Sequence, residues 1–210
     1  MVDDPYDGRQ PTSHERMAGQ PWDASYHDGG APWDIGHPQP AVVRLADKGV
    51  FAGAVLDAGC GTGDNALHLA ALGLSVLGVD VAATAIRLAR EKARGVDARF
   101  EVADALRLDR LGRTFDTVLD CALFHAFDND ERAAYAASLA AVTKPGGGLY
   151  VFCFGDGGPA DTLGPHPVSQ AELRAAFDDR WIVTSIVAER LESRFAPDGA
   201  PAWLATIRRT

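Results

Sequence analysis

The run Val55-Leu-Asp-Ala-Gly-Cys-Gly-Thr-Gly-Asp64 constrains this chain more than any other ten residues. An apolar stretch enters a turn in which every second residue is glycine, and a helix-compatible segment follows. Glycines in such a turn let a ligand approach the backbone closely. Seventeen residues beyond Gly63, a second apolar stretch, Ser75 to Val79, ends in Asp80. A strand there delivers a carboxylate to the same edge of the sheet as the glycines. An acid in that position suits ribose hydroxyls, so the two features together imply a nucleoside site in an open α/β sheet.

The glycine spacing narrows the ligand. Dinucleotide sites use G-x-G-x-x-G and seat a pyrophosphate on the following helix. Here Gly59, Gly61 and Gly63 give G-x-G-x-G, and Asp57 stands two residues before the first glycine. A carboxylate at that point repels a pyrophosphate and attracts an ammonium group. S-adenosylmethionine has an ammonium, a carboxylate, a sulfonium and a ribose, and no phosphate. The turn resembles motif I of the class I methyltransferases that use it. Later segments resemble the same family in order and spacing. Phe100 to Ala105 matches a third strand ending in Asp104 and Ala105, and Phe115 to Asp120 a fourth. Lys144-Pro-Gly-Gly-Gly148 before Leu149 to Phe152 matches a reversal and fifth strand.

Around these motifs β and α units alternate. Helices are expected over Ala41–Lys48, Asp64–Leu72 and Ala82–Arg94. Two more follow the capping boxes Asp128/Glu131 and Ser169/Glu172. Two strand-like runs, Trp181–Ala188 and Trp203–Ile207, close the chain, with a turn signal at Pro197-Asp198-Gly199. The pattern predicts a doubly wound, Rossmann-like α/β sheet ending in an antiparallel hairpin, and its order resembles the family's seven-stranded fold. The length favours one domain of 210 residues. Within it we expect a flexible N-terminal tail over 1–20 with a short helix from His14, a lid and helix over 21–48, and the cofactor-binding core over 49–210. The lid segment carries two Pro-Trp-Asp units eleven residues apart, with further aromatics. It is too aromatic for a linker and too rich in Pro and Gly for a long helix.

Carried over position by position, the family resemblance implies that Asp57, Gly59, Gly61 and Gly63 hold the methionine part of the cofactor. It assigns Asp80 to the ribose, and Asp104 with Ala105 to the adenine. Cys60, Thr62, Asn65, Val81, Asp120 and Cys121 complete the expected cofactor set. Trp22 and Trp33 are expected to cover the sulfonium, since an indole face attracts a cation by about 0.5–2 kcal/mol. Trp33, His37, Phe124 and His125 are the candidate acceptor contacts. His125 follows the fourth strand at the ligand-binding edge and is the candidate catalytic residue, either taking a proton from the acceptor or orienting it. Asp120 is a second catalytic candidate, with a supporting role the simpler reading. His14 and His166 carry no signal. Methyl transfer depends chiefly on alignment, which can be worth an effective molarity of about 10⁵–10⁸ M.

The segment Trp22, Pro32-Trp33-Asp34-Ile35-Gly36 and Pro38-Gln39-Pro40 also resembles the N-terminal signature of the thiopurine, thiol and halide methyltransferase group. Tellurite-resistance proteins and bacterial enzymes that methylate heterocyclic toxins are similar there. That resemblance implies a small aromatic or heterocyclic acceptor methylated at S, N or O, with S-adenosylhomocysteine as product. A formal net charge of −9 disfavours nucleic acid as a partner. No apolar run is long enough for a bilayer span, and three cysteines without metal-ligand spacing fit a reducing cytoplasm and no metal; a monomer or homodimer is expected. Two alternatives stand: a cofactor-binding regulator without activity, and an NAD(P)-dependent oxidoreductase, which the glycine spacing and Asp57 oppose.

Overall fold

A computed structural model describes residues 8–27, 30–156 and 167–210. Its centre is a seven-stranded sheet in the order β3-β2-β1-β4-β5-β7-β6. The strands are β1 (Ala54–Ala58), β2 (Ser75–Asp80), β3 (Ala98–Val102), β4 (Phe115–Cys121), β5 (Thr143–Phe154), β6 (Trp181–Ser193) and β7 (Ala196–Arg209). The first five run parallel, and β7 lies antiparallel between β5 and β6. The helices are α1 (Ser13–Ala18), α2 (Pro40–Asp47), α3 (Asp64–Ala71), α4 (Ala83–Lys92), α5 (Asn129–Val142) and α6 (Gln170–Ala175). Central strands covered on both faces read as continuous apolar runs, which is what made β1, β2 and β4 visible. Leu56, Val118 and Leu149 pack with Tyr135 and Leu139 of α5 on one face. Val55, Leu119 and Phe152 pack with Leu69 of α3 and Ile86 of α4 on the other. Each such aliphatic or Phe side chain contributes about 1.5–3 kcal/mol by burial.

Both capping boxes form. The side chains of Asp128 and Ser169 accept from the amides of Glu131 and Glu172, and the glutamates return the bond. Three other local expectations are corrected. Lys144 to Gly148 is not a reversal but the bulged start of β5, which begins directly after α5. The register slips between Phe115 and Thr117, and Gly146 takes φ +78°. The terminal hairpin turns at Arg194 and Phe195, not at Pro197-Asp198-Gly199. Those three residues lie inside β7, where Gly199 takes φ +77° and the Arg190 guanidinium holds the carbonyls of Asp198 and Gly199. A bulge uses the same residues as a turn, hence the misreading.

The N-terminal segment is the third correction. Residues 1–7 lie outside the described residues, but from Thr12 onward the expected flexible tail is docked. Thr12 and Glu15 cap α1 reciprocally, and Glu15 is fully buried. Arg9 forks onto that carboxylate, and the amides of Thr12 and Trp22 donate to it. Burial pushes the Glu15 carboxyl up, but these donors outweigh it and hold it below its usual value. The Ser13 amide donates to Glu131 at 2.7 Å, tying α1 to α5. A 3₁₀ turn, Trp22–Tyr26, follows, and Asp23 accepts from the Thr84 amide at 2.6 Å. The Arg194 amide donates to the Pro32 carbonyl at 2.8 Å, and Gln39 bonds both ways with the Glu192 backbone. Residues 9–27 and 30–39 thus form a strap fixed to α5, α4 and the β6–β7 hairpin.

Candidate active site

The strap closes over the carboxyl ends of β1, β2 and β4, and a cavity of about 300 Å³ lies between them. That volume is at the lower end of the range of about 300–1,000 Å³ typical of small-ligand sites. The glycine turn forms one wall. Gly59, Gly61 and Gly63 all take positive φ, and a Cβ on Gly63 would stand 2.7 Å from the Phe100 ring. A Cβ on Gly59 would meet Leu123 at 2.8 Å. Asp80 fixes the turn, accepting from the Gly61 and Ala82 amides at 2.9 Å each. Asp104 caps a short 3₁₀ run, Ala105–Leu111, by accepting from the Leu106 amide at 2.9 Å.

Three carboxylates crowd this edge. Asp57 and Asp120 are fully buried on neighbouring strands. Burial, and then the charges of Asp120 and Asp80, push the Asp57 carboxyl up to about 7. Burial does the same to Asp120, also to about 7. Asp80 is raised as well, again by burial, with the Ala82 and Gly61 amides pulling the other way. Neither oxygen of Asp57 makes a hydrogen bond of normal geometry; the Ala66 amide exerts only a weak downward pull. A buried, unsatisfied carboxylate beside two others is a place that favours a cation.

The opposite wall is aromatic. His14 of α1 stacks on Trp22 at 4.2 Å, and Trp22 meets Trp33 edge-on at 5.4 Å. The Trp33 indole N–H donates to the Tyr26 hydroxyl at 2.9 Å, placing that oxygen over the glycine turn. Phe154, at the end of β5, packs against the imidazole of His125 at 4.5 Å. His125 rides on a 3₁₀ turn, Phe124–Ala126, that Asp120 organises. Asp120 Oδ1 accepts from the amides of Leu123 and Phe124 at 3.0 and 3.2 Å. Ala122, just before this turn, holds φ +74°, a conformation uncommon outside glycine and one that marks local strain.

A family model described as a methyltransferase domain matches residues 55–147. A 2-heptyl-1-hydroxyquinolin-4(1H)-one methyltransferase of Mycobacteroides abscessus is 37% identical over 195 residues, covering 91% of this chain and 80% of that protein. The chain belongs to the S-adenosylmethionine-dependent methyltransferases. A probable thiol methyltransferase of Arabidopsis thaliana is 30% identical over 159 residues, covering 72% of this methyltransferase and 68% of the plant protein. A solved structure concerned with converting a disulfide bond into a thioacetal group during echinomycin biosynthesis superposes with a TM-score of 0.81. It is 41% identical and covers 89% of this methyltransferase and 91% of its own chain. No oxidoreductase stands among these relatives.

The residues of the methyltransferase suit its methyl donor. The glycine cradle admits a ligand where side chains would block it, and the unsatisfied Asp57 carboxylate matches a positively charged amino acid. Of the residues singled out in the sequence, Trp22, Trp33, His37, Gly59, Cys60, Gly61, Thr62, Gly63, Asn65, Asp80, Val81, Asp104, Ala105, Cys121 and His125 line the cavity. Three do not. Asp57 lies buried behind the lining residues. Asp120 supports the turn that carries His125: its Oδ1 accepts from two backbone amides, and its Oδ2, on the side of Tyr135, makes no hydrogen bond of normal geometry. Phe124 is fully buried on the far side, stacked on Phe177 at 5.9 Å beneath Arg132. Its predicted acceptor contact is corrected accordingly: one residue of a 3₁₀ turn faces out and its neighbour faces in. Asn65 lines the cavity but spends its Oδ1 on the Gln39 amide at 2.9 Å, anchoring the strap.

Sequence reading missed His14, Tyr26, Phe154 and Phe195, all of which line the cavity. For His14 a signal existed: Thr12-x-x-Glu15 is a capping box and starts a helix one turn from Trp22. Phe195 sits on the hairpin turn and was hidden by the misplaced reversal. Tyr26 and Phe154 carry no local pattern that separates a cavity wall from a core face. Of the free cysteines Cys60 and Cys153 are buried and Cys121 is half-buried, and burial raises all three thiols above their ordinary value.

Proposed function

We propose that this methyltransferase transfers a methyl group to S, N or O of a small, flat aromatic or heterocyclic acceptor. The observation that carries the reading is the aromatic wall: His14, Trp22, Trp33 and Phe154 face the glycine turn across the cavity. Two flat surfaces and an edge suit a ring, which gains about 0.5–1.5 kcal/mol per good aromatic contact beyond area burial. The relatives that act on a hydroxyquinolone or are named for thiols support the same class.

The bound cofactor supplies a methyl group on a sulfonium, an electrophile that needs only a lone pair in line. The chain's own residues do the rest. Gly59, Gly61 and Gly63 bring backbone close to the amino-acid moiety. Asp57 opposes its ammonium, Asp80 accepts from ribose hydroxyls, and Asp104 with Ala105 faces the adenine. Cys60, Thr62, Val81 and Cys121 fill the wall between these groups. Trp22 and Trp33 cover the methyl-bearing end and exclude water, making residues 21–48 the lid on a core spanning 49–210. His37 and His125 border the acceptor. Small molecules fit an acidic protein better than nucleic acid does, and free thiols fit the cytoplasm, where we place it as a monomer or homodimer. Among the described residues no helix is long and apolar enough to cross a membrane.

The test is incubation with methyl-labelled S-adenosylmethionine and a panel of hydroxyquinolones, aryl thiols and phenols, with tRNA as a control. Label in at least one ring-bearing small molecule and none in tRNA is expected. Label confined to the nucleic acid overturns the acceptor class.

A further inference from the structure

β5 outruns its neighbour. The last pair between β4 and β5 is Cys121 with Phe152, so two residues of β5 extend beyond it. The amide of Phe154 therefore has no strand partner on that side. His125 takes the vacant place: the Phe154 N–H donates to its Nδ1 at 3.1 Å. A backbone amide cannot give up its proton or reverse its role. Nδ1 must therefore present a lone pair, and the one hydrogen of a neutral imidazole goes to Nε2. The ring is only 5% exposed and lies against Phe154, and a proton on Nδ1 would face the amide hydrogen.

We propose that His125 serves the reaction as a neutral Nε2–H donor, not as a base, and that the enzyme selects acceptors acidic enough to enter as anions. This rests on the acceptor being a ring-bearing heteroatom nucleophile as argued above. N-hydroxy and hydroxy heteroaromatics and aryl thiols ionise near neutral pH, and simple phenols do not. The acceptor loses its proton to water before it binds. Its lone pair forms the new bond to carbon, and the carbon–sulfur bond of the donor breaks with the electron pair left on sulfur. His125 donates to the acceptor's anionic atom and turns a lone pair toward the methyl group. Other titratable groups lining this part of the cavity are Arg9, His14, Tyr26, Asp34 and His37 of the strap and Glu192 of β6, and Asp120 lies under the same turn. Arg9 is committed to Glu15, and the His37 Nδ1–H donates to the Pro38 carbonyl.

The direct test needs no turnover. Long-range ¹H–¹⁵N spectra of the histidine-labelled protein are expected to show His125 in the Nε2–H form throughout the neutral range. An Nδ1–H form or an imidazolium at neutral pH would overturn the proposal. Kinetics give a second test. For acceptors with hydroxyl pKa from about 5 to 10, the acid limb of kcat/KM should move with the acceptor. His125→Gln keeps an N–H near the Nε2 position and should stay within about tenfold of the parent. His125→Ala should lose roughly 10- to 100-fold, the worth of a hydrogen bond to an anion, with the limb in the same place. A limb that ignores acceptor acidity overturns the idea. So does a limb that vanishes with His14→Gln or His37→Gln. If no panel member is methylated, the acceptor class fails, and the spectrum still decides the tautomer.

Discussion

The two walls of the cavity are built on opposite principles. The glycine-turn wall comes from one stretch of chain and its neighbour, Gly59 to Gly63 with Asp80 and Val81, and it is held largely through backbone amides. The aromatic wall draws on the strap, the turn after β4, the end of β5 and the β6–β7 hairpin. Its contacts are side chains brought together by long-range ties such as Arg194 to Pro32. One wall is fixed by conformations that only glycine takes readily, and the other by packing that tolerates exchange. It follows that the first should be shared widely among enzymes using the same donor, and the second should set which acceptor is taken.

The contrast can be broken by substitution. Gly63→Val should have the largest effect, since positive φ costs about 1–2 kcal/mol for a residue with a Cβ and Phe100 blocks the new atoms. Calorimetry should register donor affinity down by roughly 100-fold or more, or an unfolded protein. Asp80→Asn comes next. It removes the charge that binds the Gly61 amide, and donor affinity should fall about 10- to 100-fold, in line with a charged hydrogen bond of about 1.5–3 kcal/mol. Trp33→Ala should reverse the pattern. The acceptor KM should rise about tenfold and donor affinity change by less than about threefold. Equal losses in both would erase the division between the walls.

A smaller effect sharpens the electrostatic side. The carboxyls of Asp57 and Asp120 titrate near about 7 in the folded chain, against an ordinary value of 3.8. A folded-state value raised in this way gives stability that is full below about 4 and is lost as pH climbs through 7. Melting of the free protein should drop between pH 5 and 8, and the gain in melting temperature from the donor should widen over that window. Asp57→Asn should flatten both trends. A free protein equally stable at pH 5 and 8 would show that these carboxylates carry no such penalty.

The same contrast explains what could be read from the sequence. The sheet, the glycine turn, Asp80 and both capping boxes were legible because each rests on a local rule: apolar runs for covered parallel strands, glycine for positive φ, Ser or Asp with Glu for a helix start. His125 was found by its position after β4. Its tautomer was not, because that depends on the amide of Phe154, 29 residues away. The hairpin was misplaced because a glycine bulge and a glycine turn share one composition. His14 was passed over because its partner Trp22 lies in a different local element.

The central claim is that a buried acidic pocket behind the glycine turn receives a cationic adenosyl amino acid. It is tested most directly by titrating the folded protein with S-adenosylmethionine near pH 6.5, in two buffers that differ in protonation enthalpy. The expected result is saturable 1:1 heat with net proton release, as the incoming cation drives Asp57 to ionise, and with the release absent in Asp57→Asn. Saturable heat with proton uptake, or no heat from well-folded protein, would contradict it.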